Sequence, residues 1–321
     1  MVSADVIAIK AAVVIAGLYI TYAYLMRFEC QVLGRLSLRG EASWGILWPL
    51  VSAARAMRKP NRRVPGAWHY LYVAAPWCAL CTALFSLALI PDGLAFAVAG
   101  HELTFRFRDL DIGLALVVAA WWLGLLGALL GAWSSRSAYL WVEGQRVFSL
   151  GMGYSLAAML ALAGVVLLSR SLSLVAPIHA RAGALPLALY QPLGFVVCAL
   201  ALVAGGRRLP YSLPGEGATP LGDWHVQHAG SVPALYHLAE YLQILFSSAL
   251  LATIYLGSGS GPWSSGPHWL LLKTLLASVV LLWLRAGWLA RRRPHLGHRG
   301  WLILCALAAL NLLLTGLIVG W

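Results

Sequence analysis

LYHLAEYLQILFSSALLATIYLG, residues 235–257, contains one carboxylate, Glu240, and one histidine, His237, in an otherwise uncharged run. It exceeds the ~20 residues that cross a hydrocarbon core of about 30 Å. It lacks the two-residue alternation of a lipid-facing barrel strand. It therefore reads as a helix, which satisfies its own backbone hydrogen bonds in lipid. Windows of similar character lie at about 6–26, 68–91, 111–134, 148–169, 186–205, 268–289 and 300–320. Together they predict an all-α integral membrane protein with eight transmembrane helices in one domain, residues 1–321.

Composition supports this reading. Hydrophobic residues make up 61% of the chain and charged residues 11%, where a soluble domain carries about 25% charged. The net charge of +12 would suit nucleic acid, but the basic residues sit in short loops beside apolar spans. There they set topology and contact anionic lipids, so no nucleic-acid partner is expected. The first apolar run follows Asp5, has no basic n-region and is too long for an h-region, so a cleavable signal is not expected. Five cysteines give no disulfide framework.

Of the 23 Lys and Arg residues, sixteen fall in the loops 27–67, 135–147, 206–234 and 290–299. The alternate loops carry only Arg106, Arg108, Arg170 and Arg181. That alternation would break with one helix more or fewer. It places the basic loops in the cytoplasm and both termini on the periplasmic side of a bacterial inner membrane. The loop 27–67 also holds ASWGILWPLVSAARAM, residues 42–57, with Trp44, Leu47, Trp48, Val51 and Ala54 at helical spacing and Arg55 and Arg58 behind. This predicts an in-plane interfacial helix over about 43–58, bent or cut at Pro49. Many of the fifteen tryptophans lie at span ends, as an aromatic belt requires.

Few residues inside the spans can do chemistry. Glu240 is either a functional intramembrane acid, with His237 three residues earlier on the same face to exchange protons, or a glutamate solvated from the cytoplasmic loop. Lys273 is expected to snorkel to the interface, and Arg285 to face a cytoplasmic loop. Cys78 and Cys81 have redox spacing but sit mid-span among Ala and Leu, which favours packing. His225 and His228 have ligand-like spacing without a third ligand nearby, so no metal is expected. No phosphate loop or dinucleotide fingerprint occurs.

Several segments, in order and at matching spacing, resemble the H subunit of respiratory complex I, a membrane component of NADH-quinone oxidoreductase. LGAWSSRSAYLWVEGQR (130–146) is similar to the family's A-G-W-S-S-N-S-K-Y-S-x-x-G-x-x-R, and AEYLQILFSSALLATIYLG (239–257) to its G-E-Y segment. RDLDIGLAL (108–116), LLKTLL (271–276) and LRAGWLARRRPHLGHRGW (284–301) extend the likeness. LMRFECQVLGRLSLRG (25–40) looks like a worn E-R-R-x-x-G-x-x-Q-x-R-x-G-P-N.

The resemblance implies a membrane subunit that is not catalytic alone. It would dock peripheral-arm iron–sulfur and quinone-reductase subunits, adjoin antiporter-like and small membrane subunits, and line a quinone chamber without holding a metal or flavin. By position it implies docking or quinone-chamber roles for Glu29, Arg39, Arg55 and Arg146. It implies proton-path roles for Glu240, Tyr241, His237, Glu216 and Tyr154. Asp111 falls in a segment that is structural rather than catalytic.

The departures are also informative. Ser155 follows Tyr154 where the family carries a path glutamate, and the acidic third cytoplasmic loop keeps only Glu216. HVQHAG stands in place of H-I-E-Y-S-G, and Ala53 in place of an aspartate. Serine cannot bind and release a proton near neutral pH as a tuned carboxylate does. The expectation is a complex I-like component with most of its proton-path carboxylates lost. Alternatives are the anchor subunit of a membrane-bound hydrogenase-type complex, or a non-catalytic scaffold for a soluble partner. A stand-alone transporter fits least, because beyond Glu240 and two cations near span ends no intramembrane polar site is evident.

The charge asymmetry yields a direct test of orientation. In a variant whose native cysteines are replaced by serine, a membrane-impermeant maleimide applied to intact cells should label Ser171→Cys and leave Glu216→Cys unlabelled. The reverse pattern would invert the topology.

Overall fold

The computed structural model describes residues 4–36, 51, 54–55, 57–58, 66–91, 96–98, 101–103, 110–179, 186–205, 231–261, 266–290 and 297–319. In chain order, α1 (Ala4–Leu36) is followed by α2 (His69–Ala88), the strands β1 (Phe96–Val98) and β2 (His101–Leu103), and α3 (Gly113–Ser134). Then come α4 (Ala138–Ser169), the single turns α5 (Ala176–His179) and α6 (Leu187–Tyr190), α7 (Pro192–Ala204), α8 (Val232–Ile254), α9 (Pro267–Ala290) and α10 (Gly297–Val319).

Among the described residues, six helices (α2, α3, α4, α8, α9 and α10) are long and apolar enough to cross a membrane. Helix α1 fills the first window and runs well past residue 26, so Glu29 lies on a helix and not in a loop. Helix α4 likewise starts earlier than residue 148 and carries Arg146 within it. β1 and β2 pair antiparallel, Phe96 opposite Leu103, in a connection the sequence left as loop.

The fifth window does not form one helix. Pro192 has no N–H and disfavours the α conformation at the residue before it, and Gln191 sits at φ −129°, ψ 64°. The chain breaks there, leaving α7 with 13 residues, a length of about 20 Å that falls short of the hydrocarbon core.

Helix α8 is the hub. Within its candidate span 83% of residues are buried, against 22% for α10. Two of its hydroxyls bond to their own helix: Ser247 Oγ donates to the Gln243 carbonyl and Ser248 Oγ to that of Ile244, each at 2.8 Å. Serines can in this way line a buried helix without leaving their donors exposed to hydrocarbon.

Small residues let the helices close up, since burial in lipid supplies little drive between apolar faces. A Cβ on Gly127 of α3 would stand 3.1 Å from the Ala79 backbone nitrogen and 3.3 Å from the Ala75 oxygen of α2. One on Gly131 would strike the Tyr236 hydroxyl of α8, and one on Gly144 the methyl of Ala132.

In the turn between α3 and α4, the Ser134 carbonyl accepts the Trp68 N–H at 3.0 Å. Arg136 takes the left-handed region at φ 54°, where the resembling motif has Asn, a residue more at ease there. Its guanidinium lies 5.6 Å from the centre of the Trp68 ring, and Trp68 meets Trp133 edge-on at 4.8 Å. Two members of the expected aromatic belt thus hold a turn together.

Of the interfacial segment, residues 51, 54, 55 and 57 are helical, and the Arg58 N–H donates to the Ala54 carbonyl at 3.2 Å. Trp44, Trp48 and Pro49 lie outside the described residues.

Close packing at Gly127 and open space at Gly316, where a Cβ would meet nothing within 4 Å, set up a paired comparison. Gly127→Val should destabilise the detergent-solubilised protein by about 1–3 kcal/mol through overpacking. Gly316→Ala should be neutral or stabilise by about 0.5–1 kcal/mol through helix propensity. Thermal melts of the two variants check the contrast.

Candidate functional site

Three helices converge on one carboxylate. On α1 the buried positions Leu18, Tyr22, Leu25 and Glu29 are spaced by four, three and four residues, so Glu29 continues the inward stripe of that helix. On α9 the buried positions Thr274, Ser278, Leu281 and Arg285 follow the same spacing. Tyr241 enters from α8. Its hydroxyl donates to Glu29 Oε2 at 2.6 Å, and Arg285 Nη2 donates to Glu29 Oε1 at 3.1 Å. All three are buried, at 4%, 3% and 6% exposure for Glu29, Tyr241 and Arg285.

Around them Tyr22, Ala23, Leu25, Ile244 and Leu282 form an apolar wall, with the Tyr22 ring edge-on to Tyr241 at 5.3 Å. A carboxylate taken from water into such surroundings requires a cation and hydrogen bonds to remain charged, and Glu29 has both.

The arrangement corrects one sequence expectation. Arg285 faces the bundle interior and not a loop, because Glu29 gives its charge a partner there. Tyr241 reaches Glu29 on another helix, since successive helical residues diverge by about 100° and its neighbour Glu240 points elsewhere. Glu240 is itself buried, and its Oε2 lies 3.9 Å from His237 Nδ1 one turn earlier. That distance brings the expected acid–histidine pair together, beyond direct hydrogen-bond length.

Lys273 does not simply extend to the interface. Its Nζ donates to the carbonyls of Leu256, Ser258 and Ser260 at 2.7, 3.0 and 2.6 Å. These belong to the turn that follows α8, close to a helix C-terminus, where a cation is favoured. The turn itself carries Gly257 at φ 75° and Ser258 at φ 48°.

At the position of the missing acid, Ser155 is buried and fully engaged. Trp122 Nε1 donates to its Oγ at 2.9 Å, and that Oγ donates to the Met152 carbonyl at 2.8 Å. Tyr154 beside it is wholly buried. Arg146 is half-buried on α4 and Arg55 is exposed. Arg39, Glu216, His225 and His228 lie outside the described residues. Among the described residues no three His, Cys, Asp or Glu side chains gather as a metal site, and Cys78, Cys81, Cys198 and Cys305 are free thiols.

Residues 9–316 match the family NADH dehydrogenase. The chain belongs to that family. Among curated relatives of this NADH dehydrogenase family chain, an H subunit of NADH-quinone oxidoreductase from Syntrophobacter fumaroxidans is 31% identical, over 97% of this chain and 95% of its own. The H subunit of NADH-quinone oxidoreductase from Syntrophotalea carbinolica is 30% identical over 98% and 96%. An H subunit of NADH-quinone oxidoreductase from Rhodopseudomonas palustris is 32% identical over 99% and 98%.

Sequence reasoning singled out Glu29, Tyr241 and Glu240 but missed Arg285. The signal for Arg285 was the periodic stripe on α9, which it completes.

Breaking a buried ion pair on one side costs about 3–5 kcal/mol, because the other charge is left uncompensated. Arg285→Leu should therefore sharply lower the melting temperature and yield of the purified protein. Tyr241→Phe should cost about 1.5–3 kcal/mol, as for a hydrogen bond to a charged group. Glu29→Leu combined with Arg285→Leu should recover much of the loss. Melts of the two singles and the double measure the coupling, and strictly additive losses would contradict it.

Proposed function

We propose that this chain is the H-type membrane component of a complex I-like NADH-quinone oxidoreductase in a bacterial inner membrane, with its termini on the periplasmic side. The observation that carries the reading is that Glu29 and Tyr241, two positions singled out by family motifs far apart in the sequence, meet on one buried carboxylate in a chain that matches the family over nearly its full length. The chain is a subunit of an enzyme complex and has no catalytic group of its own. It docks the peripheral arm through its basic loops, with Arg39, Arg55 and Arg146 on the docking side, and it adjoins antiporter-like and small membrane subunits and anionic lipids.

Quinone is the substrate of this reading. A narrow cleft beside the cluster is lined by Leu202, Val203, Ile244, Ser247, Leu281, Leu282 and Arg285. It is too narrow for a quinone ring, so quinone enters this reading through the family of the relatives and not through the cleft. Glu29 is already engaged by Tyr241 and Arg285, so in this chain its two oxygens are tied to the helices around it.

Proton traffic through the chain is reduced. Ser155 carries no exchangeable carboxyl where the family has one, and Trp122 and the Met152 carbonyl already engage its hydroxyl. The remaining candidates for a path are Glu240 with His237, Tyr154 and Glu216. The same features support a second reading, a non-catalytic scaffold that holds a soluble partner at the membrane.

Glu240→Gln in the purified complex separates the two. Under the first reading quinone reduction by the complex persists, while any coupled acidification in proteoliposomes falls at least several-fold. Under the scaffold reading neither activity changes, and only charge removal in the basic loops, such as Arg55→Ala with Arg58→Ala, releases the partner. Purification without any iron–sulfur or antiporter-like subunit would sink the assignment itself.

A further inference from the structure

The break in the fifth span places polar groups deep in the bundle, toward the helix ends opposite the Glu29 cluster. Gln191, at the break, is buried at 4% exposure, as is Asn311 of α10. Gln191 Nε2 donates to the Gly164 carbonyl of α4 at 3.2 Å and to Thr315 Oγ1 of α10 at 2.7 Å. The Thr315 hydroxyl gives its own proton to the Asn311 carbonyl at 2.7 Å. These bonds fix which end of the Gln191 amide is which. Turning it over would set Oε1 against a carbonyl and a hydroxyl whose proton is already committed.

With the amide so oriented, two buried atoms lack a protein partner: the acceptor Gln191 Oε1 and the donor Asn311 Nδ2. Both lie near Gly164. A Cβ there would lie 3.0 Å from Asn311 Nδ2, 3.2 Å from Gln191 Nε2 and 3.7 Å from Gln191 Oε1. Gly194 of α7 also makes room, since a Cβ on it would come within 2.8 Å of Asn311 Nδ2. Buried polar groups in hydrocarbon are satisfied, and an acceptor and a donor both near one glycine can be satisfied by a single small molecule that both donates and accepts.

We propose a binding site for one ordered water at this break, donating to Gln191 Oε1 and accepting from Asn311 Nδ2, so that α4, α7 and α10 are joined through it. A bare cation fits poorly. The neighbouring carbonyls of Leu187, Gly164, Gln191 and Asn311 already accept hydrogen bonds, and Asn311 presents N–H. An anion would meet the oxygen of Gln191. Water satisfies both atoms with no charge to compensate, at the sort of broken span that tolerates irregular backbone within a membrane.

The test uses the intact complex in nanodiscs, by cryo-electron microscopy at about 2 Å with and without sodium. The expected result is one density peak within hydrogen-bond distance of both atoms, independent of sodium and absent in Gln191→Met and in Gly164→Ala. Melting temperatures provide a second readout that survives if one variant assembles poorly. Gln191→Met and Asn311→Leu together should melt no lower than the worse single, because each alone already removes the bridge. The proposal is overturned by direct amide-to-amide contact with no peak. It is equally overturned by a peak that requires sodium and has oxygen neighbours only, or by additive losses in the double variant.

Discussion

Glu29 sets the condition that the surrounding helices meet. Near the end of a lipid-embedded helix no solvent is available to carry a negative charge, so the charge has to be answered by other parts of the chain. Arg285 takes one oxygen and Tyr241 the other, from helices that follow α1 by roughly two hundred residues or more. This fixes the rotation of three helices at once. Arg285 must face inward, Tyr241 must turn from Glu240, and the apolar residues one and two turns away, Tyr22, Leu25 and Leu282, become the wall around the pair. The conversion of a charged loop end into a helix interior follows from that pairing.

Other polar groups in the bundle find partners by other means. Ser247 and Ser248 on α8 return to carbonyls of their own helix, Ser155 is shared between an indole and a carbonyl, and Lys273 serves three carbonyls just after α8. Glycines at crossing points let backbones approach closely enough for such short side chains to reach. Hydrophobicity brings the helices into the membrane, and these local polar agreements select one arrangement among many.

The long apolar windows, the alternation of basic loops and the family motifs were all legible in the sequence, because each depends on composition over many residues. The break at Gln191 was not seen, although Pro192 was in plain view: hydropathy averages over a proline and still reads a span. The partner of Glu29 was missed for a different reason. Arg285 lies close to a run of arginines that argues for a cytoplasmic end, and only the four-three-four spacing from Thr274 tells that its face is buried. Contacts between helices far apart in sequence leave no mark on one chain beyond such stripes. The β1–β2 hairpin is too short for a periodic signal.

Lys273 has a mechanical meaning beyond its hydrogen bonds. With its amine tied to the carbonyls of residues 256, 258 and 260, Lys273 of α9 holds the stretch that leaves α8 against α9. That one side chain adds a polar tie to the apolar packing between the two helices. The fifth span, cut at Gln191, is by contrast pinned at its break, where one amide reaches both α4 and α10.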